Sequence, residues 1–248
     1  MRLHLKGDDR VCKAHWLRCR DEGARRLGLL SIELWEPVDA REDAHAQAAA
    51  ATARHLEDVL EQIIETLSGA LAERDPYTVG HQRRVADLAL AIGRAMQLAP
   101  HRLEALELAA LVHDIGQIEI PSEIISRPGP LTPAEMALVQ QHPVMGYEIL
   151  KDVQSPWPLA DIVHQHHENL DGSGYPRGLA GDAICLEARI LRVCDIIEAM
   201  SSHRVYRSNH PMDSVLEEVQ RMAGRELDAE VVRIGVALIR REGYAFPA

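Results

Sequence analysis

Residues 108–120 read LAALVHDIGQIEI. An apolar run of helical character delivers His113 and Asp114 side by side, and Gly116 then opens the backbone. Neighbouring side chains leave a helix about 100° apart. The pair therefore converges on one ion only if that ion sits over the helix edge. Alone, an HD pair is a weak sign. Here further candidates arrive in order along the chain: His81, His142, His166, His167 and Asp195. Most of these imidazoles and carboxylates stand in apolar helical surroundings, where burial is expensive without a partner. The set points to a metal centre and to phosphodiester chemistry.

The whole chain sets bounds on this reading. Its 248 residues suffice for one large domain, or a domain with an appendage. Hydrophobic residues make up 46% and charged residues 26%, as in a folded protein. A net charge of -11 argues against a DNA groove, which needs a basic stripe. A small anion stays compatible, because bound metal reverses the local sign. The four cysteines, at 12, 19, 185 and 194, form no CxxC pair and read as reduced thiols of a cytoplasmic protein. No run reaches the roughly 18 apolar residues of a membrane span.

From Pro76 onward the pattern is helix and loop, so the predicted fold class is all-α. Three segments are expected: 1–38, a small N-terminal β-hairpin; 39–74, a long connector helix; and 75–248, a helical bundle. In the first, Val11 to Arg18 and Leu27 to Trp35 are strand candidates. In the second, Leu56, Leu60, Ile63, Leu67 and Leu71 form a stripe suited to pairing with a second copy, or to lying against the body. In the third, a helix from Arg102 to Ile115 ends at the HD pair. Thr132, Pro133 and Glu135 predict a capped helix start, with His142 near that helix's end. Asn169 to Gly178 holds three Gly and one Pro, and is a shaped loop.

Imidazole and carboxylate together suit zinc, iron or manganese rather than the all-oxygen shell of magnesium or calcium. Seven candidate ligands are too many for one ion and right for two. Asp114 is the best bridge, since each carboxylate oxygen can serve one ion. Two ions about 3.5–4 Å apart can hold a bridging hydroxide and clamp a phosphoryl group. Arg84 shares a helix face with His81, and Arg204 follows Asp195. Either guanidinium could grip phosphate. Glu168 is a candidate to orient a ligand imidazole. Tyr175 either donates a hydrogen bond there or plugs the loop onto the core. Each residue also has a plainer explanation. His81 could be a hydrogen-bonded core residue, His142 a surface one, and Asp195 the ion-pair partner of Arg189 or Arg192. Jointly, those explanations require several unrelated expensive burials.

Residues from about Arg74 to the C-terminus resemble the HD-GYP domain, a subgroup of the HD phosphohydrolases. The likeness runs through RDPYTVGHQRRVA, HDIG, IPSEII, HPVMGYEIL, HHENLDGSGYPRGL and ARILRVCD, then Arg204 and Tyr206. It implies an HD-type helical bundle and two divalent ions, iron or manganese foremost and zinc also suitable. It implies hydrolysis of cyclic di-GMP to pGpG or GMP; cyclic GMP-AMP is a related substrate. By the same resemblance, His81, His113, Asp114, His142, His166, His167 and Asp195 match metal ligands. Arg204 matches a phosphate contact, and Gly174, Tyr175 and Pro176 form the GYP element. Residues 3–36 resemble the last strands of a PAS sensor domain, which implies an upstream sensory module; the homodimer through the connector helix is expected from its apolar stripe.

The chain departs from the pattern at several places. Gln117 stands where Lys is usual, which removes a cation beside the metals and phosphate. Tyr77 stands where three-metal members carry Glu, so two ions are expected. Cys185 and Ala229 replace prolines. Three readings compete: an active phosphodiesterase in which Asp114, Gln117 and Arg204 serve the reaction, a weakly active or inactive binding module, and a nucleotidase of another substrate.

Overall fold

The computed structural model describes residues 80–127, 129–202, 211–241, 243, 244 and 246, and the backbone of three strands, residues 2–4, 11–19 and 27–34. The expected connector helix and Arg204 lie outside the described residues. The chain divides into two compact units, Met1–Glu61 and Gln62–Ala248. In the first, β1 (Arg2–His4), β2 (Val11–Cys19) and β3 (Leu27–Leu34) form an antiparallel sheet in that order. Trp16 pairs with Leu30, and Cys12 with Leu34.

The described part of the second unit is helix and turn. Helix α1 (His81–Ala95) follows Gly80, whose φ of 76° lies in the left-handed region that glycine adopts without strain. Its inner face carries Val85, Leu88, Ala89 and Ile92, all buried. Helix α2 (Pro100–Val112) starts on a proline, whose missing N–H costs nothing in the first turn. Leu106, Ala109 and Ala110 pack it onto α1. A Cβ on Gly93 would come within 2.8 Å of a Leu103 methyl, so this glycine sets how closely α1 and α2 approach.

Two differences from the sequence reading matter. Helix α2 stops at Val112 rather than running through the HD pair, and a 3-10 turn (Ile115–Glu119) takes over. The His113 Nδ1–H donates to the Ala110 carbonyl (2.7 Å), which takes up an acceptor of the helix's last turn. His142 does not end a helix but begins one. After α3 (Ser122–Ile125) comes α4 (Pro133–Val139), and α5 (His142–Leu150) follows it. The expected capping box is present: Glu135 N–H donates to Thr132 Oγ1, and Thr132 N–H donates to the Glu135 carboxylate.

Helix α6 (Leu159–Gln165) leads to the His166–His167 doublet and the glycine-rich loop. Then α7 (Leu186–Ser201), α8 (Met212–Met222) and α9 (Ala229–Arg241) close the bundle. Asp228 caps α9, its Oδ1 accepting from Glu230 N–H at 2.9 Å. Helix α7 packs on α1, α2, α8 and α9, with Ile190, Leu191, Val193 and Ile197 fully covered. Each such side chain contributes roughly 1.5–3 kcal/mol by leaving water. This core fixes α1, α2 and α7 against one another; His81 opens α1, His113 follows the end of α2, and Asp195 lies within α7.

Candidate metal centre

Three of the imidazoles are set in the same way. His113, His142 and His166 each donate Nδ1–H to the main-chain carbonyl three residues earlier, at 2.7, 2.7 and 2.6 Å. That bond fixes the tautomer and leaves a lone pair on Nε2. All three residues are at least 98% buried. The three lone pairs face inward. His142 Nε2 and His166 Nε2 lie 3.2 Å apart, with no proton between them to share. His113 Nε2 is buried and has no hydrogen-bond partner. Opposed lone pairs and an orphaned nitrogen are unfavourable together unless a cation lies between them.

Asp114 occupies the middle. Its Oδ1 lies 3.2 Å from His142 Nε2 and 3.9 Å from His166 Nε2. Its Oδ2 lies 3.4 Å from His113 Nε2 and 4.0 Å from His81 Nε2. One oxygen thus faces each half of the cluster. Two groups have the spacing to hold an ion: Asp114, His142, His166 and His167 in one, and His81, His113 and Asp114 in the other. Asp195 Oδ1 reaches His81 Nε2 at 3.4 Å. Neither arginine takes Asp195 as an ion-pair partner: Arg189 bonds Asp228 at 3.0 Å, and Arg192 bonds Asn169 and His167.

The electrostatics show how unbalanced the cluster is without a cation. Burial opposes charge on His81, but Asp195 and Glu198 outweigh it and raise the imidazole to about 10. Burial opposes ionisation of Asp114, yet His113 and His142 hold its carboxyl well below the usual range. His167 falls to about 3, first through burial and further through His142 and Arg192. Some imidazoles hold protons and others refuse them, within one small volume. The donor set fits divalent ions of the nitrogen-accepting kind.

The glycine of HDIG has a steric reason. A Cβ on Gly116 would stand 2.0 Å from the His142 carbonyl oxygen and 2.5 Å from Gly146 N. Its absence lets the 3-10 turn lie against the start of α5 and brings His142 to Asp114. Gly174 is equally constrained. A Cβ there would meet Asn169 N at 2.3 Å, and Glu168 Cα and the His167 carbonyl at 2.5 Å.

The Tyr175 ring stacks on His167, with centroids 4.7 Å apart and planes inclined 26°. Glu168 does not do what the sequence reading asked of it. Its carboxylate receives Arg177 N–H at 2.7 Å and Leu179 N–H at 2.9 Å, and so ties down the loop. The carboxylate against an imidazole is Glu198, whose Oε2 accepts His81 Nδ1–H at 2.5 Å. Arg84 is likewise committed: it pairs with Glu198 Oε1 at 2.7 Å, which does not favour the phosphate contact expected of it. Glu198 was missed from the sequence. Its signal was an acidic residue one turn past Asp195 inside an apolar helix.

The HD domain pattern matches residues 65–231, about two-thirds of the chain. The chain belongs to the HD domain family. Among relatives of this HD domain, a cyclic di-GMP phosphodiesterase response regulator of Xanthomonas campestris is 35% identical over 87% of this chain and 58% of its own. A cyclic di-GMP phosphodiesterase of Thermotoga maritima is 37% identical over 71% of this chain and 48% of its own. A 3′3′-cGAMP-specific phosphodiesterase of Vibrio cholerae is 37% identical over 71% of this chain and 38% of its own. The chain thus spans about half the length of the curated relatives it matches. An HDG"Y"P protein from Bdellovibrio bacteriovorus shares the fold, with a TM-score of 0.56 at 18% identity over 67% of this chain and 53% of its own. Among the described residues, no helix is long and apolar enough to cross a membrane.

Proposed function

We propose that the HD domain is a metal-dependent phosphodiesterase acting on a cyclic dinucleotide, with cyclic di-GMP as the first substrate to test. The observation that carries this is Asp114, which offers one carboxylate oxygen to each of two imidazole groups. His81, His113, Asp114 and Asp195 would hold one ion, and Asp114, His142, His166 and His167 the other. This donor set accepts iron, manganese or zinc, and the HD-GYP resemblance makes iron and manganese the first to test. Bound there, such ions acidify water at neutral pH and neutralise phosphate charge. The chain's own contribution is positioning. Three backbone carbonyls fix the imidazole tautomers, and the loop held by Glu168 sets Tyr175 and Gly174 beside the doublet.

The test is incubation of the metal-loaded protein, under low oxygen, with cyclic di-GMP and separately with cyclic GMP-AMP. Linear pGpG or GMP from the first, or a linear mixed dinucleotide or its mononucleotides from the second, supports the reading, and intact substrates from protein holding two ions reject it. One residue favours a second reading, a binding module of low turnover. Gln117 lies in the turn directly after Asp114, where a Lys would add a full charge. A charged donor is worth about 1 kcal/mol more than a neutral one. Gln117→Lys is therefore expected to raise kcat by about fivefold to tenfold. An unchanged kcat means that charge is not the handicap.

The connector helix is proposed to join two copies. Solution mass measured with and without residues 41–73 should show a dimer becoming a monomer. A full chain that is already monomeric rejects this.

A further inference from the structure

The four inward imidazoles other than His167 are not held alike. His113, His142 and His166 lean on main-chain carbonyls, as described above. His81 leans on a carboxylate. Helix α7 presents Asp195 and Glu198 one turn apart, on one face, and the His81 ring lies between them. Asp195 Oδ1 approaches Nε2 at 3.4 Å, and Glu198 Oε2 accepts from Nδ1 at 2.5 Å. Glu198 is only 1% exposed, and its other oxygen is fully engaged. Arg84 Nε donates to Oε1 at 2.7 Å, and Ser202 Oγ donates to it at 2.5 Å. Arg84 lies three residues past His81 on α1, so one buried carboxylate ties two side chains of that helix to α7.

We propose that Glu198 is a positioning residue that acts through His81, fixing its Nε2 lone pair toward Asp114 and Asp195 and strengthening it as a donor to one ion of the pair. The physical reason is charge. An anionic acceptor draws the Nδ1 proton harder than a neutral carbonyl does, which leaves more electron density on Nε2. Arg84 and Ser202 keep the carboxylate ionised and in place. The two ion positions are then unequal by construction. One rests on carboxylate-backed His81, and the other on His142 and His166, both backed by main-chain carbonyls. This inference rests on the two-ion reading given above.

The experiment is a manganese titration of the metal-free full chain, with bound ions counted by equilibrium dialysis. The unaltered chain takes up two. Glu198→Gln is expected to weaken one of them by about ten- to a hundredfold and leave the other unchanged. Glu198→Asp, which keeps the charge, should recover part of that loss. His81→Ala should weaken the same ion at least as much, and adding Glu198→Gln to it should change nothing further. Unchanged affinity for both ions in Glu198→Gln overturns the proposal, as does an additive loss in the double variant. If the unaltered chain fails to take up two ions, the two-ion reading itself falls. Thermal unfolding of each metal-free variant shows that the count is taken on folded protein.

Discussion

Replacing His113 and Asp114 together with Ala empties both ion positions and lowers hydrolysis of a cyclic dinucleotide by about a thousandfold or more. The size follows from where Asp114 lies. Its two oxygens stand 3.2 Å from His142 and 3.4 Å from His113, so removing it takes a ligand from each group at once. His113 adds a buried nitrogen with no other partner. Metal content by elemental analysis and turnover by product chromatography should fall together. Hydrolysis that persists in the double variant sinks the assignment of the centre. Circular dichroism of the metal-free forms separates this outcome from unfolding, because α1, α2 and α7 pack through side chains that the substitutions leave alone.

Gly116→Ala is the second large effect, and it arises from sterics rather than ligand loss. The new methyl would collide with the His142 carbonyl oxygen at 2.0 Å and with Gly146 N at 2.5 Å. Both are backbone atoms and cannot rotate away. The 3-10 turn and the start of α5 must separate, at a cost of about 3 kcal/mol. That separation pulls His142 from Asp114. The variant should melt well below the unaltered protein and bind manganese weakly, although every ligand side chain is still present. A variant with an unchanged Tm and undiminished metal content would show that the turn yields without cost.

How much of this was legible in the sequence depends on distance along the chain. The capping box at Thr132 is local, and its residues alone announced it. The helix that leads to the HD pair was readable from apolar spacing, and the start of α4 from Pro133. The end of α2 was not, because a histidine that bonds its own helix's carbonyl leaves no mark in hydrophobic periodicity. The candidate ligands were recognised by residue type and by family likeness. Their arrangement into two groups sharing Asp114 needed the fold. For the same reason the sequence reading looked to Glu168 for a carboxylate against an imidazole, whereas the one that bonds His81 is Glu198. Glu168 sits next to the histidine doublet in sequence, whereas Glu198 is 117 residues from His81 and meets it only through packing of α1 on α7. A buried carboxylate in the middle of an apolar helix was the available hint.

The pinned loop has one more consequence. Tyr175 N–H donates to the His167 carbonyl at 3.2 Å, Glu168 holds Arg177 and Leu179, and Gly174 lies against the backbone of residues 167–169. The segment that would meet a nucleotide and the doublet that would meet an ion are therefore one mechanical piece. Exchanging the loop to alter substrate preference would shift His166 and His167 with it. Engineering of specificity in this domain must transplant residues 166–179 as a block, or accept a changed affinity for metal.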